Sequence, residues 1–174
     1  MSLGMLVLRV VVGVLFVGHG AQKLFGLFGG SGLDATAEFF DKTGLHPGRL
    51  HARAAGCAEF GGGALLALGL LVPIAGAALI GVMTAAIVTV HAKNGIWVTE
   101  KGYEYNLVLI AAVFAVTAVG AGPWSLDDAL NLDVAGPGWA LGALALGLLG
   151  GIGAVLSGRL PAVSHRDELR PHST

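Results

Sequence analysis

The stretch LRVVVGVLFVGHGAQKLFG, residues 8–26, decides the fold. Its first half is hydrocarbon apart from Arg9, and its second half sets His19, Gln22 and Lys23 into the same apolar run. Taken from Leu3 to Phe25, the run matches the roughly 20 helical residues that cross a bilayer core. Charge at the centre of such a run costs about 2.5–3.5 kcal/mol on insertion scales, and less near its ends. Polar side chains are kept there where partners meet them. The stretch therefore predicts a membrane helix whose polar side packs against other helices.

Composition agrees. Of 174 residues, 55% are hydrophobic and 12% charged, with mean hydropathy +0.78. Soluble domains carry about 25% charged residues, so this chain lacks material for a wetted surface. A net charge of −1 leaves no basic patch for nucleic acid. The single cysteine, Cys57, excludes a disulfide framework, a CxxC couple and a thiolate metal site, and reads as packing. Glycine, at 29 residues, lets helix backbones approach closely in lipid. No basic segment or small-x-small cleavage site marks a signal peptide, so the first run reads as a retained span.

Five runs qualify as spans: about 3–25, 50–71, 74–91, 103–121 and 137–156. Pro73 makes the turn between the second and third tight, and those two antiparallel. The fifth run has no interior polar group and reads as a peripheral, lipid-facing helix. The expected fold is an all-α transmembrane antiparallel four-helix bundle over 1–128. A fifth transmembrane helix occupies 129–158, followed by a polar tail at 159–174. Within the first connection, residues 31–45 read as a short amphipathic helix on the membrane surface or an ordered loop, with Ser31 or Asp34 as its cap. Lys23, Lys42, Arg49, Arg53, Lys93, Lys101, Arg159, Arg166 and Arg170 fall on one side and Arg9 on the other. The positive-inside rule then puts the N-terminus outside and the C-terminus in the cytoplasm of a bacterial plasma membrane. Arg9 reads as an anchor snorkelling to the outer surface. Trp97, Trp124 and Trp139 read as interfacial belt residues.

Alternating helices bring one set of ends together: His19, Gln22 and Lys23, then Glu59, then His91 and Asn94, then Glu104, Tyr105 and Asn106. Helical spacing places Arg9, Gly13, Phe16, Gly20 and Lys23 on one face. Ala52, Gly56, Glu59, Gly63 and Leu66 share another, and Gly81, Thr84, Val88 and His91 a third. Glu59 needs an offset for its burial, from Lys23 or Arg53 as ion-pair partner and from His19 or Asn106 as hydrogen-bond partner. HGAQK and HAKNG, each followed by a helix with a glutamate, hint at a duplicated hairpin. His46, His51, His165 and His172 read as loop and tail residues.

The cluster admits four readings. It is a buried network that fixes helix register, a small-molecule or quinone site, a haem held by His19 and His91, or a solute or proton path. Quinone carbonyls need only donors such as His or Lys with a carboxylate nearby. Haem is disfavoured, because no second histidine pair and no attachment motif is present. No cofactor is certain from the residues, and no metal is expected. No phosphate-cradling glycine loop and no nucleophile–base pair is evident.

LRVVVGVLFVGHGAQKLFGLFGG, AEFGGGALLALGLLVP, VHAKNGIW, GYEYNLVLIAA and GPWSLD together resemble the DoxX family of small bacterial membrane proteins, over about residues 5–128. The resemblance implies a four-helix transmembrane bundle and a link to membrane oxidoreductase assemblies. Some relatives resemble subunits of thiosulfate:quinone oxidoreductases, and others are associated with oxidative-stress defence. The fifth helix lies outside that pattern. The expected partners are the lipid bilayer and a redox enzyme docked on the cytoplasmic connections, and the chain admits a homo-oligomer.

Overall fold

A computed structural model describes residues 2–159. The tail beyond, with His165, Arg166, Arg170 and His172, lies outside the described residues. The elements in order are α1 (Ser2–Phe25), α2 (Gly32–Lys42), α3 (Gly48–Leu68), α4 (Val72–Ala86), α5 (Glu104–Val119), the short α6 (Leu126–Ala129) and α7 (Pro137–Arg159). A π-helical turn, Ile87–His91, and a 3-10 turn, Ala92–Asn94, prolong α4, and a second 3-10 turn spans Val98–Glu100. Helix is the form that satisfies every backbone group inside a hydrocarbon layer.

α1, α3, α4 and α5 close a ring in which each contacts the next, and α5 returns to α1. The arrangement is consistent with the expected all-helical bundle. Its core holds Phe16, Leu66, Leu79, Ile80, Val113 and Val116. The tightest joint is α1 on α3. A Cβ at Gly13 would lie 2.6 Å from the Gly63 carbonyl oxygen, and one at Gly20 would lie 2.5 Å from the Phe60 nitrogen. The predicted stripes on α1 and α3 are therefore the contact faces, with Arg9, Phe16, Ala52, Gly56, Glu59, Gly63 and Leu66 all buried.

Among the described residues, three helices are long and apolar enough to cross a membrane: Leu3–Phe25, Val72–Asn94 and Pro137–Arg159. The sequence reading expected five. α3 has the length, with 21 residues, but carries Arg49, Arg53 and Glu59. α5 has only 16 residues, or about 24 Å of helix, below the usual span.

The third predicted stripe fails at Val88, which is exposed. The π turn inserts an extra residue per turn there and rotates the following side chains off the 3.6-residue face. α7 also departs from expectation. Leu141, Leu146, Leu149 and Leu156 do face outward. Its other face, Ala140, Ala143, Gly147, Gly151, Val155 and Gly158, is buried. That face packs on α4 and α5. A Cβ at Gly151 would lie 2.5 Å from the Gly81 carbonyl oxygen. The His46 amide donates to the Gly158 carbonyl (2.9 Å), which ties the end of α7 to the connection before α3.

α2 is a real helix, packed on α3 and α1. Ser31 occupies its cap position without a side-chain bond, and Asp34 pairs instead with Arg49 across to α3 (3.1 Å). Cys57 is exposed on α3 and is not an internal packing residue.

Arg9 does not snorkel. It is buried, 2% exposed. Its guanidinium donates to the carbonyl oxygens of Ala67 and Trp124, and Asp127 lies within Coulombic reach. Asp127 in turn accepts from the amides of Leu71 (2.7 Å) and Val72 (3.2 Å), capping α4 at the tight turn. α3 ends there on Gly69, at φ +65°, with Leu70 donating back to the Leu65 carbonyl. Trp97, Trp124 and Trp139 are all exposed at or beyond helix ends. Asp127→Ala removes a cap that serves two amides, and thermal unfolding of the purified protein should register a loss of about 1–2 kcal/mol.

Candidate functional site

At the end of the bundle opposite Arg9, the structure holds a cavity of about 770 Å³. It gathers the C-terminal end of α1, the N-terminal halves of α3 and α5, the far end of α4 and the last turns of α7. Alanine and glycine of α3, α4 and α7 supply much of its wall, with Phe39 and Phe40 of α2 at one side. Small wall residues leave the space open, because short side chains on closely packed helices cannot fill it.

Into this apolar space come His19, Lys23, Glu59, His91, Tyr105 and Asn106. Glu59 has its side chain 2% exposed and Lys23 25%, and the Lys23 Nζ donates to Glu59 Oε2 at 2.6 Å. Lys23, and not Arg53, is the ion-pair partner. Neither His19 nor Asn106 hydrogen-bonds the carboxylate. Asn106 Nδ2 donates to the Met83 sulfur (3.3 Å). His19 Nδ1 faces Gln22 Oε1 (3.3 Å).

His91 closes the far side. The π turn carries it, and its Nδ1 lies 2.8 Å from the carbonyl oxygen of Lys101 in the next connection. Asn94 Nδ2 donates to the same oxygen (3.2 Å). π turns occur mostly as single-turn bulges in α-helices, frequently at functional sites. Here the bulge ends at His91, which lines the cavity.

Three of the residues predicted from sequence lie off the cavity wall and hold the nearby chain. Gln22 Nε2 donates to the Phe28 carbonyl (3.1 Å), beside a smaller adjoining cavity of about 430 Å³ that shares Lys23, Phe39 and Phe40 with the first. Asn94 ties down the α4–α5 connection. Glu104 Oε2 accepts from the Val98 amide (2.9 Å), so it folds that connection and does not meet Glu59.

The sequence reading missed other wall residues. His51 is not in a loop. It sits in the first turn of α3 and lines the cavity. The spacing His51, Ala55, Glu59 puts it on the glutamate's face, and the expected span from about residue 50 already contained it. Lys101 and α7 residues Gly150, Gly151 and Ala154 also line the space. Nothing polar on α7 could have marked it as a wall. Among the described residues, no three His, Cys, Asp or Glu side chains are grouped to hold a metal ion.

The arrangement can enclose an apolar molecule of modest size and offer its polar edge three imidazoles, two ammonium groups, a carboxylate and a phenol. A family model described as DoxX matches residues 4–92, which take in α1 to α4 and His91. A protein of Bacillus subtilis (strain 168) named "Putative oxidoreductase CatD" is 31% identical over 116 residues, covering 67% of this chain and 80% of that protein. No solved structure matches.

Proposed function

The chain belongs to the DoxX family of membrane proteins, and from that premise we propose that it is an accessory subunit of a membrane redox assembly whose bundle cavity binds a quinone-like molecule. The observation that carries this reading is the apolar cavity of about 770 Å³ with His19, Lys23, Glu59 and His91 on its wall. A pocket of that size, mainly apolar with a few convergent polar groups, suits a small organic ligand. A quinone ring would lie against the alanine and glycine walls. Lys23 and Tyr105 would donate to its oxygens, and Glu59 would stand by for proton exchange. The oxidoreductase name of the Bacillus subtilis relative supports a redox setting. Electrons would come from a partner enzyme.

Placement in the membrane follows from charge. Lys23, Lys42, Arg49, Arg53, Lys93, Lys101 and Arg159 stand at the cavity end and Arg9 at the other. By the positive-inside rule the cavity end is cytoplasmic and the N-terminus outside, in a bacterial plasma membrane. The partner enzyme would dock on that cytoplasmic end.

Purified protein should yield a quinone in its lipid extract and should bind added short-chain quinone. Glu59→Gln, which frees Lys23 from its partner, and Tyr105→Phe, which removes a donor, should each weaken that affinity about tenfold, the equivalent of about one good hydrogen bond, while unfolding temperature falls little. No quinone bound, and no quinone reduced with any candidate partner, would refute the proposal. If the variants lose stability with no selective loss of binding, the cluster is internal glue of a scaffold protein. Proton or solute uptake into liposomes that Glu59→Gln abolishes would instead make the protein a transporter.

A further inference from the structure

Two of the three cavity histidines, His19 and His91, have one ring nitrogen held by a fixed partner, and His51 is the third. The His91 Nδ1 lies 2.8 Å from the Lys101 carbonyl oxygen, which can only accept. Nδ1 of His91 must therefore carry the proton, and in the neutral ring Nε2 keeps its lone pair. For His19 the same result takes one more step. Gln22 Nε2 donates to the Phe28 carbonyl oxygen, also acceptor-only, which fixes the orientation of the Gln22 amide. Gln22 Oε1 is then the atom facing His19 Nδ1 at 3.3 Å, so this imidazole too holds its proton on Nδ1. The two Nε2 atoms are acceptors, and among the described residues neither has a hydrogen-bond partner.

The rest of the inventory leans the same way. Glu59 accepts from Lys23 through Oε2 only. Asn106 gives one of its two amide protons to the Met83 sulfur, which leaves one N–H and the side-chain oxygen. Thr89 spends its hydroxyl proton on the Ala85 carbonyl. Lys23, with protons beyond the one given to Glu59, and Tyr105 are donors on the same wall.

We propose that the cavity takes its ligand preferentially as a dihydroxy-aromatic molecule, the reduced member of a quinone couple, with its two hydroxyl protons given to Nε2 of His19 and of His91. This deepens the quinone-site reading and rests on it. A quinone carbonyl can only accept, so it would leave both imidazole lone pairs unsatisfied inside an apolar cavity. A hydroquinone hydroxyl gives its proton to an imidazole while its oxygen accepts from Lys23 or Tyr105. Gln22 and Lys101 act as positioning residues through the imidazoles they orient.

The test uses full-length protein in detergent without oxygen, titrated with duroquinone, durohydroquinone and the dimethyl ether of durohydroquinone. The ether keeps the ring and loses both O–H donors. Durohydroquinone should bind roughly tenfold to a hundredfold tighter than either of the others, as two net hydrogen bonds imply. Gln22→Leu frees the His19 ring to change tautomer, and should shrink that ratio several-fold while duroquinone binding stays the same. A purely structural role for Gln22 would weaken all three probes alike. ¹⁵N shifts of labelled His19 and His91 should show the proton on Nδ1 in both. Equal affinity for quinone and hydroquinone would overturn this inference and leave the quinone site standing, as would a proton on Nε2 in either ring. Failure of all three probes to bind would remove both.

Discussion

Lys23→Met should lower the stability of the purified protein by about 3–5 kcal/mol, and adding Glu59→Gln should return most of that loss. Glu59 is 2% exposed on the inner face of α3, and Lys23 is its one hydrogen-bond partner among the described residues. Removing the ammonium leaves a nearly fully buried carboxylate in an apolar bundle without its ion-pair partner. The remedies open to the protein are to take up a proton or to pull α3 toward water, and both cost free energy. Replacing the carboxylate as well removes the liability, which is why the double variant recovers. Thermal unfolding followed by tryptophan fluorescence would resolve the difference, since each kcal/mol moves the midpoint by about 2–4 °C in a chain of this size. Wild-type stability for Lys23→Met alone would show that the pair does not hold α1 against α3.

A single methyl group at Gly63 should do comparable damage. A Cβ there would lie 2.6 Å from the Gly13 carbonyl oxygen and 2.7 Å from the Val17 nitrogen. Ordinary carbon–oxygen contacts are about 3.3 Å or longer. Both obstacles are backbone atoms of α1, so no rotamer change relieves them, and the two helices must separate along their whole joint. Gly63→Ala should therefore cost at least the upper end of the usual overpacking range, about 3 kcal/mol. Gly61 provides the control. Nothing lies within 4 Å of a Cβ at that position, so Gly61→Ala should be neutral or slightly stabilising. Size-exclusion profiles and unfolding midpoints of the two variants side by side would decide, and equal behaviour would contradict the close α1–α3 contact.

The α1–α3 joint and the Lys23–Glu59 pair were legible in the sequence, because glycine and charge repeat at helical spacing on regular helices. Where the helix is irregular, that reasoning lost its footing. The π turn shifted Val88 out of line, and Glu104 was captured by a loop amide that no periodicity announces. Arg9 was misread for a related reason. Its partners are backbone carbonyls 58 and 115 residues away, and a carbonyl belongs to every residue, so side-chain patterns say nothing of it. α7 was underestimated because an all-apolar helix looks the same whether its small face meets lipid or protein. His51 was lost because it was read with the loop histidines, although the expected span from about residue 50 already contained it and its spacing to Glu59 put it on the glutamate's face.

The buried Arg9 clasp has a consequence for how the chain is made. One of its two acceptors, Trp124, is translated 115 residues after it. At ribosomal speeds of about 5–20 residues per second, α1 waits roughly 6–23 s with its guanidinium only half-matched. During that interval the first helix should rest near the headgroups, and it should settle to its final depth only as the segment around Trp124 emerges. Biogenesis of this bundle is thus set to finish from its two ends together.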